Sequence, residues 1–131
     1  LAKGDRKNRG KVVVGTVLDD LHDIGKNLIS LMLKSRGFEI VDLGVNVKPE
    51  KFVDAIKEHK PQVLCMSALL TTSMIHFREV ISALEDAGLR EDLLVCVGGA
   101  PVTQAYANQV KADVYTPDAV SLADLLEARF A

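Results

Sequence analysis

Val12-Val13-Val14-Gly15-Thr16-Val17-Leu18 runs straight into Asp19-Asp20-Leu21-His22-Asp23-Ile24-Gly25-Lys26-Asn27. The first segment is almost wholly apolar and β-branched without polar alternation, as a strand buried on both faces requires. From Ile24 the period changes: Ile24, Leu28, Leu31 and Met32 recur at i, i+4, i+7 and i+8, the stripe of an amphipathic helix. A doubly buried strand leading into a helix is the opening half of a βαβ unit.

The same alternation continues outward. Further strands are expected at 39–43, 63–67, 93–97 and, more briefly, 113–115, because each is a short apolar run between polar stretches. Between them, Phe52, Ala55, Ile56 and His59, then Phe77, Val80, Ile81 and Leu84, and finally Ala119, Leu122, Ala123 and Leu126, form helical stripes. A weaker helix is expected over 103–110. Gly37 and Gly88 fall where helices should stop, and Pro49 and Pro117 where the next should start. Five strands alternating with five helices form an α/β domain with a parallel sheet, since parallel neighbours need crossover helices. Residues 1–10 read as a polar, basic linker and 11–131 as the domain.

Composition bounds the function. The 131 residues are 48% hydrophobic and 26% charged, with 16 basic against 18 acidic side chains, so the chain has material for a core and too little charge for disorder. Without a Lys/Arg cluster it lacks the electrostatic footprint of a nucleic-acid binder. No apolar run reaches the roughly 18 residues of a membrane span, and the first residues hold no signal-peptide core. Cys65 and Cys96 sit inside apolar runs away from any metal-ligand spacing, which fits reduced, buried thiols in a cytoplasmic protein.

In an open parallel sheet, ligands bind beyond the carboxyl ends of the strands. The first such loop carries Asp19, Asp20 and Asp23 where a phosphate cradle would need a helix N-terminus free of negative charge, so nucleotide phosphates are disfavoured there. Its acidic pair also resembles phosphoacceptor receiver domains. Those need a third Asp after strand three and a Lys after strand five, and Ser67-Ala68-Leu69 and Thr116-Pro117 stand there instead. His22 remains: imidazole is a good metal ligand, and an adjacent carboxylate fixes its tautomer and raises its basicity. A structural zinc would want four ligands, and His59 and His76 lie on helical stretches. A single imidazole suffices if the metal arrives in its own macrocycle.

Asp20-Leu21-His22-Asp23-Ile24-Gly25, with Ser67-Ala68-Leu69 after strand three and Gly98-Gly99 after strand four, closely resembles the cobalamin-binding domain, whose fingerprint is D-x-H-x-x-G, S-x-L and G-G. The stretches 22–27 and 98–103 are similar to the methyltransferase branch, the corrinoid proteins of methanogens and acetogens and the B12 module of methionine synthase. The resemblance implies a doubly wound, five-stranded flavodoxin-like or Rossmann-like sheet in order 2-1-3-4-5, with helices on both faces. It further implies a cobalamin or related cobamide bound base-off and His-on, with His22 as the lower axial ligand of cobalt. Asp20 would hold the imidazole, and Ser67 would continue the relay. Gly25, Gly98 and Gly99 would flank the slot for the nucleotide tail, Leu69 would line it, Thr71 would offer a hydroxyl and Ala119 would be a small residue near the base. Asp23 has two readings, a site residue or a solvated helix start, and Thr71-Thr72-Ser73 has a second reading as a helix cap. Asp19 departs from the family, where Gly commonly precedes the motif Asp.

The function implied is a methyl carrier that accepts a methyl group from a substrate-specific methyltransferase and donates it to a second methyltransferase with a folate-type or thiol acceptor. A reductive activase is a further implied partner. The alternative keeps the cofactor and makes the chain a cobalamin-binding sensor module. A mutase small subunit is less well matched. Relatives carry a helical domain ahead of this one, and the leading Leu1 prompts the expectation that this chain is part of something longer.

Overall fold

A computed structural model describes residues 9–130. The elements are β1 (Gly10–Thr16), α1 (Ile24–Ser35), β2 (Phe38–Asp42), α2 (Pro49–His59), β3 (Val63–Ser67), α3 (Ile75–Asp86), β4 (Leu94–Gly98), α4 (Gln104–Gln109), β5 (Val114–Tyr115) and α5 (Ala119–Arg129). A short 3₁₀ turn, Thr71–Ser73, precedes α3. All strand pairs are parallel and the order is β2-β1-β3-β4-β5, as expected.

Successive side chains of a strand point to opposite faces, and the two cores divide accordingly. Val13, Leu64, Met66, Val95 and Val97 face α2 and α3, packing with Phe52, Ile56, Phe77, Val80 and Leu84. Val12, Val14, Val63, Cys65 and Cys96 face α1 and α5, packing with Leu33, Leu122, Ala123 and Leu126. Helices therefore cover both faces.

Two sequence expectations are corrected. The α1 stripe Ile24, Leu28 and Leu31 is exposed, and Lys26, Ser30 and Leu33 are buried instead. That buried set begins two residues later, about 200° around a helix of 3.6 residues per turn, so the apolar stripe is nearly opposite the core. Pro117 does not open α5; it lies one residue ahead of Asp118, whose carboxylate accepts the Ser121 amide at 2.7 Å and caps the helix. The expected linker 1–10 falls mainly outside the described residues, but Gly10 already pairs with Phe38 in the sheet and the Arg9 amide bonds to Gly37 O.

Candidate functional site

The loop after β1 is fixed by a backbone turn that asks for left-handed geometry. Asp19 adopts φ 67, the region where L-residues are strained and glycine is favoured, which gives the physical reason for the glycine common at this position and makes the Asp a strained departure from it. Its amide donates to Asn46 Oδ1 at 2.8 Å, and its carboxylate meets His76 Nε2 at 3.3 Å. The next residue, Asp20, is thereby turned inward and fully buried.

Five donors converge on that carboxylate. Oδ1 takes the His22 amide at 3.2 Å and His22 Nδ1 at 2.9 Å. Oδ2 takes the Leu69 amide at 2.7 Å, the Leu70 amide at 3.1 Å and the Ser73 hydroxyl at 2.7 Å. Burial alone would raise its pKa, but the bonds from Ser73, His22 and the two backbone amides outweigh it and hold Asp20 well below the usual carboxylate range. An ionised carboxylate only accepts, so Nδ1 of His22 carries a proton, and in the neutral imidazole that tautomer leaves the lone pair on Nε2. Among the described residues nothing hydrogen-bonds Nε2, and the ring is half exposed. This is a ligand-ready imidazole with its tautomer set from behind.

The relay residue differs from expectation. Ser67 does not reach Asp20: its hydroxyl pairs with Thr16 Oγ1 at 3.1 Å, and Thr16 donates in turn to His22 O at 3.0 Å. Ser67 thus braces the loop backbone, while Ser73, six residues on, contacts the carboxylate. The signal available in the sequence was the Ser of Thr71-Thr72-Ser73, read as a possible cap; the 3₁₀ turn brings it under Asp20.

Beside this triad a cavity of about 340 Å³ runs between α1, β3, β4 and α5. Gly25, Ser67, Leu69, Gly98, Gly99 and Ala119 all wall it, together with Cys65 of β3, Cys96 of β4 and Leu122 of α5. Thr71 is exposed on the turn and does not contribute to the wall, because the chain swings away from the cavity after Leu69. Asp23 is the exposed N-cap of α1 and makes no side-chain cap bond, which favours its solvated reading. The glycines differ in their reasons. A Cβ on Gly25 would meet no protein atom within 4 Å and would simply take cavity space, whereas one on Gly99, at φ 132, would stand 1.8 Å from Ala68 O. A wider groove of about 860 Å³ between α2 and α3 holds none of the motif residues.

The family model that describes the B12 binding domain matches residues 10–126. The chain belongs to the B12-binding domain family. It is 45% identical over 113 residues to trimethylamine corrinoid protein 2 of Methanosarcina mazei, covering 86% of this chain and 52% of that protein. Among solved structures it resembles a cobalamin-binding protein from Desulfitobacterium hafniense, with TM-score 0.90, 39% identity and coverage of 95% and 60% of the two chains. It also resembles a chain of the methanol:cobalamin methyltransferase complex of Methanosarcina barkeri, with TM-score 0.89, 34% identity and coverage of 95% and 47%. This B12-binding domain spans about half the length of the curated relatives it matches. Among the described residues no helix is long and apolar enough to cross a membrane.

The residues fit such a ligand. A planar macrocycle needs an apolar rim, and Leu21, Ile24, Leu69, Leu70 and Ile75 are exposed at this end of the sheet around His22. A nucleotide tail needs a narrow slot, and the cavity is walled in part by Leu69, whose amide is bound to Asp20.

Proposed function

We propose that this domain holds a cobamide base-off and His-on and acts as a methyl carrier between methyltransferases. The observation that carries the reading is the buried Asp20 carboxylate that accepts a hydrogen bond from Nδ1 of His22 and leaves Nε2 open beside a glycine-walled cavity. When bound, the corrinoid supplies a cobalt centre able to take and give a methyl group. The chain's own part is to present one imidazole from a fixed direction, to keep its tautomer through Asp20 and Ser73, and to shelter the tail between Gly25 and the Gly98-Gly99 wall. The names of the methylamine corrinoid relatives and the methanol:cobalamin complex support a substrate-specific methyltransferase as one partner. An acceptor methyltransferase, a reductive activase and a cytoplasmic setting belong to the same proposal.

Reconstitution with cobalamin tests it. The wild-type chain is expected to give the base-off, nitrogen-ligated optical and electron-spin signature, and His22→Ala to lose the axial nitrogen while still binding the tail. An unchanged spectrum in His22→Ala rejects His22 as the ligand.

A further inference from the structure

We propose that Cys65 and Cys96 form a vicinal dithiol site on the floor of the cavity, which captures trivalent arsenicals when the cavity is empty. The two residues are register partners on β3 and β4, so their side chains leave the same face of the sheet side by side. Both are free cysteines, 1% and 2% exposed, and both wall the 340 Å³ cavity. The neighbouring Cys65 thiol together with burial pushes the Cys96 thiol up.

Geometry and acidity select the chemistry. In-register parallel strands stand about 4.8 Å apart, whereas a disulfide wants its Cβ atoms at about 3.5–4.5 Å, so direct S–S closure would have to pull β3 and β4 together. A single bridging atom removes that demand. A high thiol pKa also slows reactions that need a standing thiolate, such as alkylation or disulfide exchange. A trivalent arsenoxide meets both conditions. Its As=O bond and the two S–H bonds break, two As–S bonds form, and the oxygen leaves as water with both protons. Nothing is oxidised or reduced. The bridge would occupy the cavity floor next to Leu122, and so exclude whatever else enters. The exclusion of a nucleotide tail rests on the reading of the cavity given above; the dithiol site itself does not.

The test uses the full chain without cofactor and phenylarsine oxide as probe. One arsenical per chain is expected, with both thiols lost together to a thiol reagent after denaturation. The adduct should survive excess 2-mercaptoethanol, be released by 2,3-dimercaptopropanol, and keep the far-ultraviolet circular dichroism of the free chain. Cys65→Ala and Cys96→Ala, each checked for the same spectrum, should lose the monothiol-resistant adduct. Saturating cobalamin should slow capture by at least about tenfold, and cobinamide, which lacks the nucleotide, should not. Failure of the wild-type chain to form a resistant adduct, its persistence in either single variant, or its formation only with loss of the folded spectrum overturns the dithiol site. Capture that cobalamin does not slow leaves the dithiol standing and rejects the cavity as the tail site.

Discussion

At the scale of single residues, the cavity wall holds one glycine that the fold requires, Gly99, and one that it does not, Gly25. Gly99→Ala puts a methyl 1.8 Å from the Ala68 carbonyl at a left-handed φ, so the backbones of two strand ends must part. Its urea midpoint is expected to fall by the equivalent of about 3 kcal/mol or more. Gly25→Ala should instead hold or gain stability by up to about 1 kcal/mol, as alanine does in a helix, and lose affinity for cobalamin in a titration. A second prediction concerns Asp20. Its pKa is depressed in the folded state, so the stabilisation it contributes is complete above the unfolded-state value of about 4 and is lost as pH falls through the folded value. Asp20→Asn should cost roughly 2–3 kcal/mol near neutral pH. The gap to wild type, measured by urea denaturation, should narrow below about pH 4. A gap that does not change with pH would show that Asp20 is not held as an anion by its donors. Asp20 and His22 could be read from sequence because their spacing is local. Ser73 could not, since its part depends on a 3₁₀ turn returning the chain to a residue fifty-three positions earlier.

At the scale of elements, α1 is the piece the sequence misassigned. A 3.6-residue period says that a helix has an apolar face but not which surface that face meets. Here the apolar stripe fronts the ligand end, with Ile24 75% exposed, while the buried side carries a charge. Lys26 is 5% exposed and reaches Asp42 Oδ2 at 2.8 Å and Asn27 Oδ1 at 2.6 Å, tying the start of α1 to the end of β2. Asp42 also caps Gly44 N at 2.9 Å, so one carboxylate holds both the helix and the next loop. Lys26→Ala is expected to cost about 1.5–3 kcal/mol, because the buried ammonium's charged hydrogen bonds to Asn27 and the partly exposed Asp42 are lost. Ile24→Ser should cost the free chain less than about 0.5 kcal/mol, as an exposed position does, yet weaken cobalamin binding. Equal losses of stability in the two variants would mean that Ile24 belongs to the core after all.

At the scale of the whole molecule, the sheet order and its two faces were legible because five apolar runs and their intervening stripes leave one economical arrangement. The runs carry Val and Leu on both sides, which only a sheet covered twice can bury. The cavity was less legible, since Cys65 and Leu122 belong to it by position in three dimensions and look like ordinary core in one. Ligand binding should register globally: cobalamin at a hundred times its dissociation constant is expected to add about 2.7 kcal/mol to unfolding free energy, seen as a midpoint several degrees higher in thermal denaturation. A midpoint that does not move with cobalamin concentration would argue against binding to the folded chain.

The five donors around Asp20 have a mechanical consequence as well as an electrostatic one. A carboxylate offers about four lone-pair directions, and all are spoken for by two loops and a turn. It cannot swivel to follow the imidazole, and the imidazole is held to it through both its ring and its own backbone amide. His22 therefore behaves as a fixed post. In the proposed complex a group held at Nε2 would meet an unyielding protein partner, and any change in that distance would have to come from the side of the bound group.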